Sequence, residues 1–293
     1  MTESPAATQL STRRLVVQAV LKTDVGKVRS ENQDFGTLTT PQEEAKSQPG
    51  GRLLVVADGM GGHRGGGTAS RLAVDTVKTQ YLGSATHDPA AALQDAVATA
   101  NSRVFTEAQT NPDLRGMGTT TSALVIRGNA AWFAHVGDSR IYWVRGDSIK
   151  QMTEDHSLVA TMVREGLLTT QEAETHPRRN VLQRSVGVGE DVEIDVRGPF
   201  EVQENDTFIL CSDGLHGLVK DEEMLHVSKF PLQQAANEFV KLTLERGAPD
   251  NVTVIVARVV RADQIGEDTL TDEAERALYD DTMKEPSTLR ASQ

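Results

Sequence analysis

The 293-residue chain carries 30 Lys+Arg against 42 Asp+Glu, a formal net charge of −12, which disfavours binding driven by counterion release from nucleic acid or by an anionic membrane surface. Its length allows one large core or two modest ones. With the single cysteine Cys211, no intramolecular disulfide can form; no segment approaches the roughly 20 apolar residues of a membrane span, and the N-terminal "MTESPAATQLSTRRL" has no apolar core of signal-peptide length, so a soluble cytoplasmic protein is expected.

Residues 1–13 are small and polar and are expected to be disordered, with an ordered domain over 14–261. Leu15–Leu21 (LVVQAVL) and Leu53–Ala57 (LLVVA) read as buried strands. The second strand runs into "ADGMGGHRGGG", where six of the nine residues from Gly59 to Gly67 are glycine; such a run costs backbone entropy and needs a conformational use. Helical spacing of apolar residues follows over Thr68–Leu82 (Leu72, Ala73, Val77) and over the alanine-rich Pro89–Ala108. From 119 to 152, β-rich runs are interrupted by "RGN" and "RGD", the pattern of an antiparallel meander with tight turns. Leu158–Pro177 is polar and weakly helical and reads as a flap. "DTFILCSDG" and "NVTVIVARVV" supply two more strands, and Leu232–Leu244 another helix. Residues 262–293 hold nine Asp/Glu against three Lys/Arg (3 − 9 = −6), an acidic, weakly ordered tail. No internal repeat is visible. Helices among strands in hairpin succession predict an α+β protein, antiparallel sheets with helices outside.

Five aspartates stand at strand mouths beside glycine or turn residues: Asp34, Asp58, Asp138, Asp213 and Asp250. Each alone reads as a turn former bonding its own backbone. Gathered at one edge of the sheets they would repel unless cations filled the space, and hard divalent ions with oxygen ligands are the natural filler. A phosphate-cradling loop is the rival for the glycine run, but the Gly-Lys-Ser/Thr ending is missing. Cys211 reads as a small buried hydrophobe, His135 and His156 as structural histidines, Met60 as a packing residue and Arg29, by default, as a surface charge.

Eight segments occur together in order: "RSENQD" (Arg29–Asp34), "DGMGGH" (Asp58–His63), "GMGTT" (Gly116–Thr120), "HVGDSR" (His135–Arg140), "TEDHS" (Thr153–Ser157), "NVLQRSVG" (Asn180–Gly187), "CSDGL" (Cys211–Leu215) and "DNVT" (Asp250–Thr253). Through them the chain resembles the metal-dependent serine/threonine protein phosphatases of type 2C in their bacterial form, over roughly Val16 to Val260. The resemblance implies an α-β-β-α sandwich and a centre of two Mn²⁺ or Mg²⁺ ions. Asp58 would bridge both ions and the Gly59 carbonyl would bind the second. Asp213 and Asp250 would hold the first; Asp34 would reach the second through water. Asp138, with Asp213, would bind a weaker third ion. Arg29 matches the phosphate-binding arginine, His63 is the proton donor to the leaving group, and Ser157–Arg178 is the flap. Gln33 stands where some members carry a liganding glutamate, and Met60 where animal members carry histidine.

The activity so implied is hydrolysis of phosphoserine and phosphothreonine in proteins by a metal-activated water, reversing a Ser/Thr kinase, in a cytoplasmic monomer that binds neither nucleic acid nor membrane. Two alternatives stay open: a phosphoprotein-binding module of the same fold with little turnover, and a two-metal enzyme acting on phosphodiesters or nucleotides.

Overall fold

The computed structural model describes residues 14–61 and 65–264. The segment 1–13, the residue His63 and all of the acidic tail beyond 264 therefore lie outside the described residues. The elements in chain order are β1 (Leu15–Asp24), β2 (Asp34–Leu38), α1 (Pro41–Lys46), β3 (Arg52–Met60), α2 (Gly65–Gly83), α3 (Pro89–Thr110), β4 (Gly118–Thr119), β5 (Thr121–Arg127), β6 (Ala130–Val136), β7 (Arg140–Arg145), β8 (Ser148–Gln151), α4 (Leu158–Arg164), α5 (Thr170–Thr175), β9 (Asp195–Glu201), β10 (Thr207–Cys211), α6 (Asp213–His216), α7 (Asp221–Val227), α8 (Leu232–Glu245) and β11 (Val252–Arg261).

Two antiparallel sheets stack face to face with helices on both outer faces, the α-β-β-α sandwich. One sheet runs β1-β11-β10-β7-β8 and the other β2-β3-β5-β6-β9, with β4 pairing β3. Strand alternation explains how this gives three apolar layers. In β3, Leu54 and Val56 face the inter-sheet layer with Leu21, Phe208, Leu210 and Ile255. Leu53, Val55 and Ala57 of the same strand face α2 and α3, where Ala69, Ala73, Ala96 and Ala100 let the helices approach. In β11, Val252, Val254 and Val256 turn the other way, towards Phe239 and Val240 of α8. Because both faces are covered, these antiparallel strands lack the polar alternation of a half-solvated sheet, and appear in the sequence as unbroken apolar runs. Among the described residues no helix is long and apolar enough to cross a membrane.

The structure departs from the expected meander in one instructive respect. β5–β6 and β7–β8 are hairpins, turning through Gly128 and Gly146 in the left-handed region (φ +60° and +58°). They belong to different sheets, however, and β6 never pairs with β7. The three residues Gly137-Asp138-Ser139 carry the chain across. Gly137 makes the crossing at φ +111°, and a Cβ there would lie 2.6 Å from the Thr120 side chain. The end of β6 thus carries Asp138 from one sheet to the other.

Part of the glycine run finds its conformational use here. Helix α2 begins at Gly65, not near Thr68, so the glycines form its first turn. The end of β3 passes directly beneath: a Cβ on Gly59 would lie 2.0 Å from the Gly66 carbonyl oxygen, and one on Gly66 2.6 Å from both the Gly59 oxygen and Gln33 Oε1. Bare backbone is what permits strand end and helix start to touch.

Candidate metal centre

A cleft of about 240 Å³ opens at one end of the sandwich, lined by Arg29, Gln33, Asp58, Gly59, Met60, Gly61, Thr120, Asp138, Asn180, Leu182, Asp213, Asp250 and Asn251. Each strand contributes its carboxylate as it leaves the sheet. Asp58 sits in the last turn of β3's pleat, its backbone locked because its N–H donates to Thr120 Oγ1 at 2.8 Å and its carbonyl accepts from Thr119 Oγ1 at 2.8 Å and from the Thr120 N–H at 2.9 Å. Asp213 follows β10 and starts the short helix α6. Asp250 stands two residues before β11, and Asp138 comes from the inter-sheet crossing.

The charge distribution is lopsided. Burial, then the neighbouring Asp34, Asp213, Asp138 and Asp250, pushes the Asp58 carboxyl well above the usual carboxylate range. Asp138 is pushed up to about 8 by burial and by the charges of Asp213 and Asp155. Asp213 is raised by burial and by Asp250. Asp213 Oδ1 is buried without a hydrogen-bond partner among the described residues. A buried carboxylate oxygen left unpaired costs free energy unless something at the site satisfies it. Among the described residues no three acidic, histidine or cysteine side chains close into a ready-made cage; like charges keep apart when nothing positive stands between them. Oxygen-only donors, mutual elevation of pKa and the orphaned Asp213 oxygen fit a hard divalent cation.

The remaining sequence-derived residues fall in three places. Arg29 is at the rim, its side chain half exposed, and its Nη2 donates to Asp250 Oδ2 at 2.7 Å. That contact raises the guanidinium above its ordinary value. The expected phosphate clamp and an expected metal ligand are thus partners here. Asp34 does not line the cleft. It pairs with Asp58 in register across β2 and β3, is buried, and accepts from Ser212 Oγ at 2.6 Å. Burial lifts it to about 7 although Ser212 and Thr253 bond it. Its expected role is to reach an ion through water, and its register with Asp58 keeps it beside that carboxylate; Gln33, one residue before it, lines the cleft. Cys211 is buried in β10 with its thiol pushed up to about 12 by burial, as a packed hydrophobe requires.

Several residues that shape the site were not singled out from the sequence. Asn251 knits the loop carrying Arg29 to the start of β11: its Nδ2 donates to the Val25 and Glu31 carbonyls at 2.9 Å each, and its Oδ1 accepts from the Gln33 N–H at 2.8 Å. Thr120 fixes Asp58, as above. Ser212 joins Asp34 to β11, accepting from the Thr253 N–H at 3.0 Å. All three stand next to a strand-end aspartate or inside a quoted motif, which was the available signal.

The family model for Protein phosphatase 2C matches residues 29–253. The serine/threonine protein phosphatase PstP of Mycobacterium tuberculosis is 38% identical over 252 residues, covering 85% of this chain but 46% of that protein, so the chain spans about half the length of this relative. The serine/threonine phosphatase stp of Listeria innocua is 38% identical over 247 residues, covering 82% of this chain and 95% of its own. The crystal structure of the catalytic domain of serine threonine protein phosphatase PstP in complex with two manganese ions superposes with a TM-score of 0.72 at 36% identity, covering 84% of this chain and 99% of that one.

Proposed function

The chain belongs to the protein phosphatase 2C family, and we propose that it hydrolyses phosphoserine and phosphothreonine esters in proteins with the help of two Mn²⁺ or Mg²⁺ ions held in the cleft. The observation that carries this reading is the orphaned, buried Asp213 Oδ1 beside Asp58 in a cleft of carboxylates with one rim arginine. Asp58, Asp213, Asp250 and the Gly59 carbonyl are the groups that would hold the two ions, and Asp138 with Asp213 a weaker third. Such ions supply Lewis acidity that makes bound water a nucleophile near neutral pH and offsets phosphate charge.

The chain's own residues do the rest. Arg29 presents a planar fork at the rim, suited to two phosphate oxygens; to do so it must leave Asp250. Asn251 keeps the Arg29 loop registered against β11. His63, outside the described residues, is the proton donor to the departing serine or threonine oxygen. No nucleophilic cysteine is at hand, since Cys211 is buried in the strand, and direct attack by water needs none.

Phosphorylated proteins are the substrates in this reading, made by a Ser/Thr kinase that the enzyme opposes in the cytoplasm, and the protein acts as a monomer. The test is Mn²⁺-dependent phosphate release from a phosphothreonine peptide, beside phosphotyrosine and phosphodiester controls. Binding of the phosphopeptide without release would favour a recognition module; release from the diester alone would favour a nuclease-like enzyme.

A further inference from the structure

We infer that His156 and His216 are positioning residues that clamp the Gly137–Ser139 crossing between the sheets and thereby aim Asp138 into the cleft. The inference rests on the reading of Asp138 as a cation ligand. His156 is buried and His216 half-buried, and desolvation holds both below the ordinary imidazole value, His216 at about 4. They come from different elements: His156 immediately precedes Ser157, the cap of α4 at the root of the flap, and His216 ends α6, the helix that Asp213 begins.

The contacts converge on one turn. The Gly137 N–H donates to His156 Nδ1 at 3.1 Å, and the His156 N–H donates to the Gly137 carbonyl at 2.7 Å. His216 Nε2–H donates to the Asp138 carbonyl at 2.9 Å. On the remaining side Ser139 Oγ bonds Thr120 Oγ1 at 2.6 Å, the same hydroxyl that receives the Asp58 N–H. The tautomers follow from the donors and acceptors. His156 accepts at Nδ1, so its proton is on Nε2, which faces Asp195 Oδ2 at 3.6 Å; it cannot also accept from the neighbouring Arg184. Asp195 opens β9, and Arg184 Nη1 fixes it at 3.1 Å. The carboxylate thus faces the protonated edge of the imidazole, whose other edge holds the turn.

Buried histidines with satisfied nitrogens are usually just part of a core. These two differ in bonding the backbone on either side of a single side chain, in a turn that cannot yield towards Thr120 because Gly137 has no room for a Cβ. Fixing the peptide units before and after Asp138 fixes the direction of its side chain. Groups that orient a ligand in this way commonly change metal affinity ten- to a hundredfold when lost.

The experiment compares His156→Asn, whose Oδ1 can still accept from Gly137, with His156→Phe and with His156→Gln, whose polar end sits where Nε2 was. His216→Gln, which keeps a donor near Nε2, is set against His216→Phe. Amide exchange at Gly137 is read by NMR in the metal-free protein. The Mn²⁺ concentration for half-maximal turnover and KM for a phosphothreonine peptide are read in the holoenzyme. We expect Gly137 protected in the parent and in His156→Asn, and exchanging at least about tenfold faster in His156→Phe or, should that variant not fold, in His156→Gln. The Mn²⁺ requirement should rise about tenfold or more in the variants that lose the bond, with KM within about twofold, and should not rise further in an Asp138→Ala background. Unchanged Gly137 exchange in His156→Phe or His156→Gln overturns the clamp. Faster exchange with an unchanged Mn²⁺ requirement also overturns it, since the turn would then be held without consequence for the site. A parent-like Mn²⁺ requirement in Asp138→Ala would instead remove the reading of Asp138 on which the inference stands.

Discussion

Strand β10 is bracketed by two aspartates, Asp206 before it and Asp213 after it, and their fates differ. Asp206 is 1% exposed and fully occupied. Arg145 grips it with both teeth of the guanidinium, Nε to Oδ1 at 2.8 Å and Nη2 to Oδ2 at 2.7 Å, and the Gln203 N–H donates at 2.8 Å. Asp213, at the other end of the same strand, faces other carboxylates and leaves Oδ1 without a partner. One end of the sandwich closes its buried charge with protein groups; the other holds its charge open. A buried, unneutralised carboxylate is tolerated where a ligand is meant to complete it, and this is what supports the proposal that the cation site lies at the unsatisfied end.

The contrast can be broken by making the same change at both ends. Asp213→Asn should lower phosphatase activity by at least about a hundredfold, because a charged ligand at the metal centre is lost. The folded protein in chelator should keep its Tm or gain a little, since a repulsive buried charge is gone. Steady-state kinetics and thermal unfolding read the two sides; a variant that is destabilised yet active would invert the assignment.

Arg29→Ala is next in size. A charge-assisted phosphate contact is worth about 1.5–3 kcal/mol, so KM should rise roughly ten- to a hundredfold, and Arg29→Lys should recover only part of the loss. Mn²⁺ affinity should hold or improve slightly, by no more than about fivefold, because an exposed pair worth about 0–1 kcal/mol no longer competes for Asp250. Calorimetric titration checks this; weaker Mn²⁺ binding would mean that Arg29 supports the metal centre and not the substrate.

Asp206→Asn is the mirror of the first change. It should cost about 1–3 kcal/mol in urea unfolding, limited because the Arg145 side chain is 40% exposed and water can resolvate it. Its kcat and KM at a temperature where it is folded should stay within about twofold of the parent.

The remaining effect is in pH, and it belongs to the metal-free protein. Asp34 and Asp138 have folded-state values raised to about 7 and about 8 against the ordinary carboxylate range. The folded, metal-free protein therefore binds more protons than the unfolded chain between about pH 4 and 8. The stability from those protons is present at the acid end and falls as pH rises through the folded values, by at most about 1.4 kcal/mol per pH unit for each group. Denaturation in chelator should show this decline, and Asp138→Asn should flatten part of it; a decline unaltered by that substitution would place the proton elsewhere.

Much of the site was legible in the chain because strand ends are legible. An apolar run ending in Asp-Gly marks Asp58 and Asp213, a Gly-Asp after an apolar run marks Asp138, and a turn before an apolar run marks Asp250; all four line the cleft. Asp34 is harder to read, because β2 is a five-residue strand with little apolar character and only its register with β3 sets Asp34 beside Asp58. Strand β9 went unseen since its DVRGPFE is largely exposed at a sheet edge. The supporting bonds of Thr120, Ser212 and Asn251 join residues far apart in the chain and have no local pattern.

Local order alone determined most of the strands and the long helices, the antiparallel character, the two tight hairpins and the set of strand-end aspartates, because periodicity and turn chemistry act over a few residues. Tertiary structure alone decided that the second hairpin crosses to the other sheet at Gly137, that Asp34 lies beside Asp58, that the glycines let β3 touch α2, and that Asp206 is neutralised while Asp213 is not. These outcomes depend on which surfaces meet across the sandwich, where burial and the proximity of charges distant in sequence set the energy of each group.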